Sequence, residues 1–127
     1  MRVDWGAIRR SREAGVDLSM IEEMLGDFYR GSDRLITALW AVLSPTAKSE
    51  GIDKDTFESS VSGEAIAAAR DALIESVAAF FPSDRRAMIT VANSEVAHQI
   101  ATLLKSLPQA SPSESTSAST EQPENAA

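Results

Sequence analysis

Apolar residues along the chain recur three and four positions apart, and no stretch alternates apolar with polar residues long enough to argue a strand. The first segment, Asp4 to Ala14, carries Trp5, Ile8 and Arg12 on one predicted face, with Asp4 as its cap and Gly15 placed to end it in a left-handed conformation. The second opens on Ser19-Met20-Ile21-Glu22, which has the form of a capping box preceded by a staple residue, Leu18. Ile21, Met24, Leu25 and Phe28 then form one apolar stripe, broken at Gly31.

Ser32 is placed to cap a third segment, the most hydrophobic of the chain, through Leu35, Ile36, Leu39, Trp40, Val42 and Leu43. Ser44-Pro45 is expected to end or kink it, because proline lacks an N–H and disfavours helix in the residue before it. Pro45 also suits the first turn of a short helix reaching Gly51. A fourth segment around Asp53 to Glu58 turns Phe57 and Val61 inward. A fifth, Glu64 to Phe81, carries Ile66, Ala69, Leu73, Val77 and Phe80 inward and leaves Arg70, Asp71 and Glu75 to solvent. Ser83 is placed to cap the last, Asp84 to Leu104, with Met88, Val91, Ala92, Val96, Ile100, Leu103 and Leu104 as its apolar set. These segments predict an all-α fold, a compact bundle of about five to six short helices over residues 1–106.

Composition sharpens the ends of that picture. Residues 107–127 hold no large apolar side chain beyond Leu107. The Ser/Pro/Glu-rich run from Pro108 offers nothing to offset the ~1–2 kcal/mol per residue that ordering a backbone costs. It is expected to be a disordered tail. Alanine is abundant in the fifth segment and aromatics make up only 6% of the chain, which favours closely packed helices over a β-sandwich. With no apolar run near the ~20 residues of a membrane span and no secretory signal visible at Met1 to Trp5, the cytoplasm is the expected location.

Charge and cysteine usage narrow the function classes. A formal net charge of −7 speaks against holding nucleic acid by neutralising its phosphates. The absence of cysteine removes disulfides, thiolate metal sites and cysteine catalysis. His98, the single histidine, has no second imidazole to complete a metal site, and a helix-surface residue is the simpler reading. Asp53, Asp55 and Glu58 faintly suggest a calcium loop but lack its glycine and its length, and capping explains them better. Arg2, Arg9, Arg10 and Arg12 form a broad basic end that reads first as a solvated face. Arg85-Arg86 lies near a helix start, where the dipole disfavours cations, and hints at a partner. No phosphate-binding glycine loop or nucleophile elbow is present, so no catalytic residue and no cofactor is expected.

Large apolar side chains are what remains. Met residues beside aromatics can line a groove for a partner's apolar segment, and Trp40, Leu43, Phe57, Phe80 and Phe81 are the candidate partner-binding residues.

Three stretches carry a family resemblance. They are Leu35 to Pro45, with Leu-Ile-Thr-Ala-Leu-Trp-Ala-Val-Leu-Ser-Pro; Ala47 to Phe57, with its Gly51-Ile52-Asp53 helix start; and Gly63 to Pro82, ending in Phe80-Phe81-Pro82. Together with Ile8 to Leu18 they resemble the small tail assembly chaperones of tailed phages and prophages, over roughly Val3 to Arg86. The resemblance implies an all-helical, non-enzymatic helper that is not retained in the virion. Such a helper binds the tape-measure protein, or meets the tail tube protein, and keeps long apolar helices soluble during assembly. A structural virion component, such as a head–tail connector or minor tail protein, is the alternative. A small DNA-binding or adaptor protein using Arg2, Arg9, Arg10 and Arg12 is the next.

Overall fold

The computed structural model describes residues 1–106, and every element among them is helical. The helices are α1 (Trp5–Glu13), a 3₁₀ segment (Leu18–Glu23), α2 (Leu25–Arg30), α3 (Asp33–Ser49), α4 (Lys54–Ser60), α5 (Glu64–Phe80) and α6 (Ser83–Ser106). The fold is the all-α bundle the periodicity predicts. The tail expected over 107–127 lies outside the described residues. The described residues fall into two units, Met1–Ala97 and the first residues of a second that begins at His98. In the second unit, residues 98–106 complete α6, and Ile100 is the only one of them that is not exposed.

Within the first unit the core is aliphatic with one large aromatic, Phe28. α3 is its centre, burying Leu35, Ala38, Leu39, Ala41, Val42, Ser44 and Ala47. Ala7, Ile8 and Ser11 of α1 pack on it, and Leu73, Ile74, Val77 and Ala78 of α5 complete the interior. The buried hydroxyl of Ser11 is satisfied by donating to the Val16 carbonyl, which also ties down the loop after α1.

Caps set several helix starts. Asp4 Oδ1 accepts from the Ala7 N–H at 2.8 Å, and Asp53 Oδ1 does the same for Thr56 at 2.8 Å. Both carboxyls are held below the usual aspartate range chiefly by those backbone donors. Gly31 ends α2 at φ 70°, a conformation that costs a residue with a Cβ, and lets the Ser32 N–H reach back to the Asp27 carbonyl.

Five local expectations are corrected. Trp5 does not share the inward face of α1: it is 64% exposed, because the buried residues Ala7, Ile8 and Ser11 are centred ~100° around the helix from it. The capping box at Ser19 does not form. Asp17, a stronger acceptor, takes both the Ser19 N–H at 3.0 Å and the Ser19 hydroxyl at 2.6 Å, and Glu22 turns away to Arg85. Met20 leaves helical geometry, and the Ile21 to Phe28 stripe is divided at Met24 between a 3₁₀ segment and α2, although all four of its residues are buried. Ser32 stands at the N-cap of α3 without a side-chain capping bond, and its buried hydroxyl has no partner among the described residues. Arg70 does not face open solvent: its guanidinium lies 4.2 Å above the Tyr29 ring.

Pro45 gives the most informative correction. α3 neither ends nor restarts there but runs through to Ser49. A residue with an N–H at position 45 would donate to the carbonyl of Ala41, four positions earlier, and proline cannot. Arg10 supplies the missing donor: its Nε reaches the Ala41 oxygen at 2.8 Å from α1. A long-range side chain thus completes the helix at the point where its own backbone fails.

Candidate functional site

The five residues singled out from the sequence fall into two groups. Trp40 of α3 and Phe57 of α4 meet at a 44° tilt with ring centroids 5.3 Å apart, and Leu43 is half-buried one turn along α3. Phe80 and Phe81, at the end of α5, meet edge to face at 5.1 Å. No ring contact among the described residues joins the two groups. None of the five is fully buried and none is fully exposed.

The second group is larger than the sequence suggested. Trp5 stands edge-on to Phe80 at 4.9 Å, joining α1 to the end of α5 through an exposed indole. Beside it a depression of about 250 Å³ is lined by Met1, Val3, Glu75, Ala79 and Phe80, among others. Glu75 and Ala79 also line a larger groove of about 580 Å³ between α5 and α6. Ile74, Ala78 and Ile89 provide the apolar part of its wall, while Glu75 and Arg86 put opposite charges on its two sides. The two hollows therefore share part of α5, and their combined lining mixes aliphatic residues and Phe80 with polar and charged ones, among them Asp71, Arg2, Thr90 and Asn93. A third hollow, about 330 Å³, lies at Trp40 between α1 and α3, with Lys54 at its edge.

Arg85 resolves the oddity of a cation near a helix start. Its guanidinium is bidentate to Glu22, with Nη2 to Oε1 at 2.7 Å and Nε to Oε2 at 2.9 Å, and Nη2 also donates to the Ser19 carbonyl. The same group lies 4.7 Å over the Phe81 ring. The bond from Arg85 pulls the Glu22 carboxyl below its ordinary range and pushes the guanidinium up. The partner hinted at by this arginine is internal. Arg86 beside it is exposed, on the groove.

The α6 pattern is also corrected. Met88 and Val91 are 61% and 63% exposed, and the buried residue is Ile89, which the sequence reading left out. One position along a helix is ~100° of rotation, enough to exchange inside for outside. The inward edge of α6 is Arg85, Ile89 and Asn93, a four-residue spacing whose outer members carry polar contacts to the body.

The remaining candidates stay apart. His98 is exposed. Among the described residues no group of three or more His, Asp or Glu side chains could hold a metal ion. The basic end is divided: Arg10 is committed to Ala41 and Arg12 lies 3.8 Å from Asp17, while Arg2 and Arg9 are exposed. Among the described residues no helix is long and apolar enough to cross a membrane. Comparison of the chain with protein-family models, with curated proteins and with solved structures finds no match.

Proposed function

We propose that this protein is a non-enzymatic tail assembly chaperone of the phage and prophage type, which holds apolar helical segments of a tape-measure protein in the host cytoplasm until the tail tube forms. The observation that carries the reading is the exposed Trp5 ring against Phe80, beside hollows along α5 whose apolar wall residues include Val3, Ile74, Ala78 and Ile89. An exposed indole against a second ring, next to an open groove, is how a surface grips an amphipathic helix through anchors three and four residues apart. The resemblance of Ile8 to Leu18, Leu35 to Pro45, Ala47 to Phe57 and Gly63 to Pro82 supplies the identity of the helix. Trp40, Leu43 and Phe57, with the hollow at Trp40, form a secondary anchor.

Co-expression with the tape-measure protein encoded beside it tests the reading. The tape-measure protein is expected to become soluble and to co-purify with this chain. Trp5→Ala, which removes an exposed ring and leaves the core intact, should reduce recovery by roughly tenfold. No gain in solubility and no co-purification with the unaltered chain would overturn the proposal. Purified particles should lack the protein, and finding it there by mass spectrometry would favour a virion component instead.

A further inference from the structure

Among the described residues α6 is the longest helix, 24 residues, yet only Ile89 of it is fully buried. Partly buried Ala92 and Val96 pack against the core from α6, and three residues of one edge anchor it: Arg85 on Glu22 and the Ser19 carbonyl, Ile89 in the core, and Asn93 Oδ1 accepting from the Tyr29 hydroxyl at 2.8 Å. These residues are spaced i, i+4 and i+8, the repeat by which a helix presents one edge to a surface. Beside that edge the 580 Å³ groove remains, so α6 occupies its seat without filling it. The link to α5 is the pair Phe81-Pro82, with Phe81 extended (φ −90°, ψ 161°) and Pro82 unable to donate a backbone bond. Rotation there would free α6 without breaking a turn of either helix.

We propose that Ser83–Ala97 is a detachable occupant of a helix-docking surface, and that a partner helix replaces it. The seat states the chemistry of that partner. Glu22 and the Ser19 carbonyl require an arginine or lysine, the core opening at Ile89 requires a branched aliphatic residue four positions later, and the Tyr29 hydroxyl requires a side-chain acceptor four positions after that. This rests on the chaperone reading only in naming a tape-measure helix as the partner. The surface and its residue pattern come from α6 itself. A tethered helix competes with any free one through its high local concentration, so a surface meant for exchange must hold its tethered occupant lightly. One fully buried side chain, with Ala92 and Val96 only partly buried beside it, does so.

The probe is a fluorescent synthetic peptide with the sequence of Ser83–Ala97, titrated into the full chain and followed by anisotropy. Saturable binding is expected. An Arg85→Glu peptide should bind roughly tenfold more weakly, and a Glu22→Arg protein should restore it. Because the chain has no cysteine, Glu75→Cys and Thr90→Cys, one on each side of the groove, can be bridged by a bis-maleimide with a cleavable spacer. The bridged protein should refuse the peptide, and should accept it after cleavage or when the same cysteines carry N-ethylmaleimide. No saturable binding to the unaltered chain, or equal binding to bridged and cleaved protein, would overturn the proposal. Peptide exchange as expected, without tape-measure recovery, would leave the detachable helix standing and remove the chaperone reading. Equal tape-measure recovery by bridged and cleaved protein would do the reverse.

Discussion

α3 and α6 are the two ends of a scale within one small protein. α3 has 17 residues and buries seven of them; α6 has 24 and buries one. Both contain several large apolar residues, so apolar content does not separate them. Phase does. In α3 the apolar positions fall on the face that meets α1 and α5, whereas in α6 Met88, Val91, Leu103 and Leu104 lie on exposed surface, Ile89 is buried, and Ala92 and Val96 pack against the core only partly buried. The first helix is structure in the sense of stability, and the second is attached to that structure by side-chain contacts at a few positions. Opening α6 should therefore require far less free energy than unfolding the body.

Substitutions can break this contrast. The largest effect is expected from Leu39→Ala, at a fully buried position of α3, which should cost about 2–5 kcal/mol and lower the whole unfolding transition in urea. If α6 kept its amide protection while the body lost its own, the division would be wrong. Next comes Arg10→Ala. Leaving the Ala41 carbonyl without its donor should cost about 1–3 kcal/mol, and Pro45→Ala should relieve most of that by restoring a backbone N–H. A double-mutant cycle showing additive effects would sink this account of Pro45.

On the α6 side the expected changes are smaller and local. Tyr29→Phe removes the bond to Asn93 and should weaken α6 docking by about 0.5–1.5 kcal/mol, read as faster amide exchange in α6 with the urea midpoint nearly unchanged. Acidification gives the smallest effect. Glu22 has a pKa depressed by Arg85, so its contribution is fully present above the ordinary glutamate value of 4.5 and is lost as the pH falls through the depressed value in the folded chain. The Arg85–Glu22 pair is partly exposed, and its loss should be worth ~0.2–1 kcal/mol, seen as α6 exchange rising in acid in the native chain but not in Glu22→Gln.

The sequence made much of α3 and little of α6 legible, for reasons visible at single residues. Periodicity identifies a helix whose face is apolar throughout, and Leu35, Leu39 and Val42 needed no tertiary information to be placed inside. It fails where the inward face is set by polar contacts, because Arg85 and Asn93 are chosen by Glu22 and Tyr29, more than sixty positions away in the chain. It fails also at Ser19, where a neighbouring carboxylate outcompetes a hydroxyl, and at Pro45, where a local rule is overridden from α1. For the candidate surface, Phe80 and Phe81 could be proposed from residue type alone. Trp5 could not, because the expected face of α1 pointed it inward.

The bond from Arg10 to Ala41 also ties together two sites in inheritance. A chain that keeps Pro45 needs a donor at position 10, and a chain that replaces Pro45 is released from that need. Lysine could offer a charge there but not the fixed geometry of Nε. Across descendants of this sequence, positions 10 and 45 are expected to change together, with arginine lost only where proline has already gone.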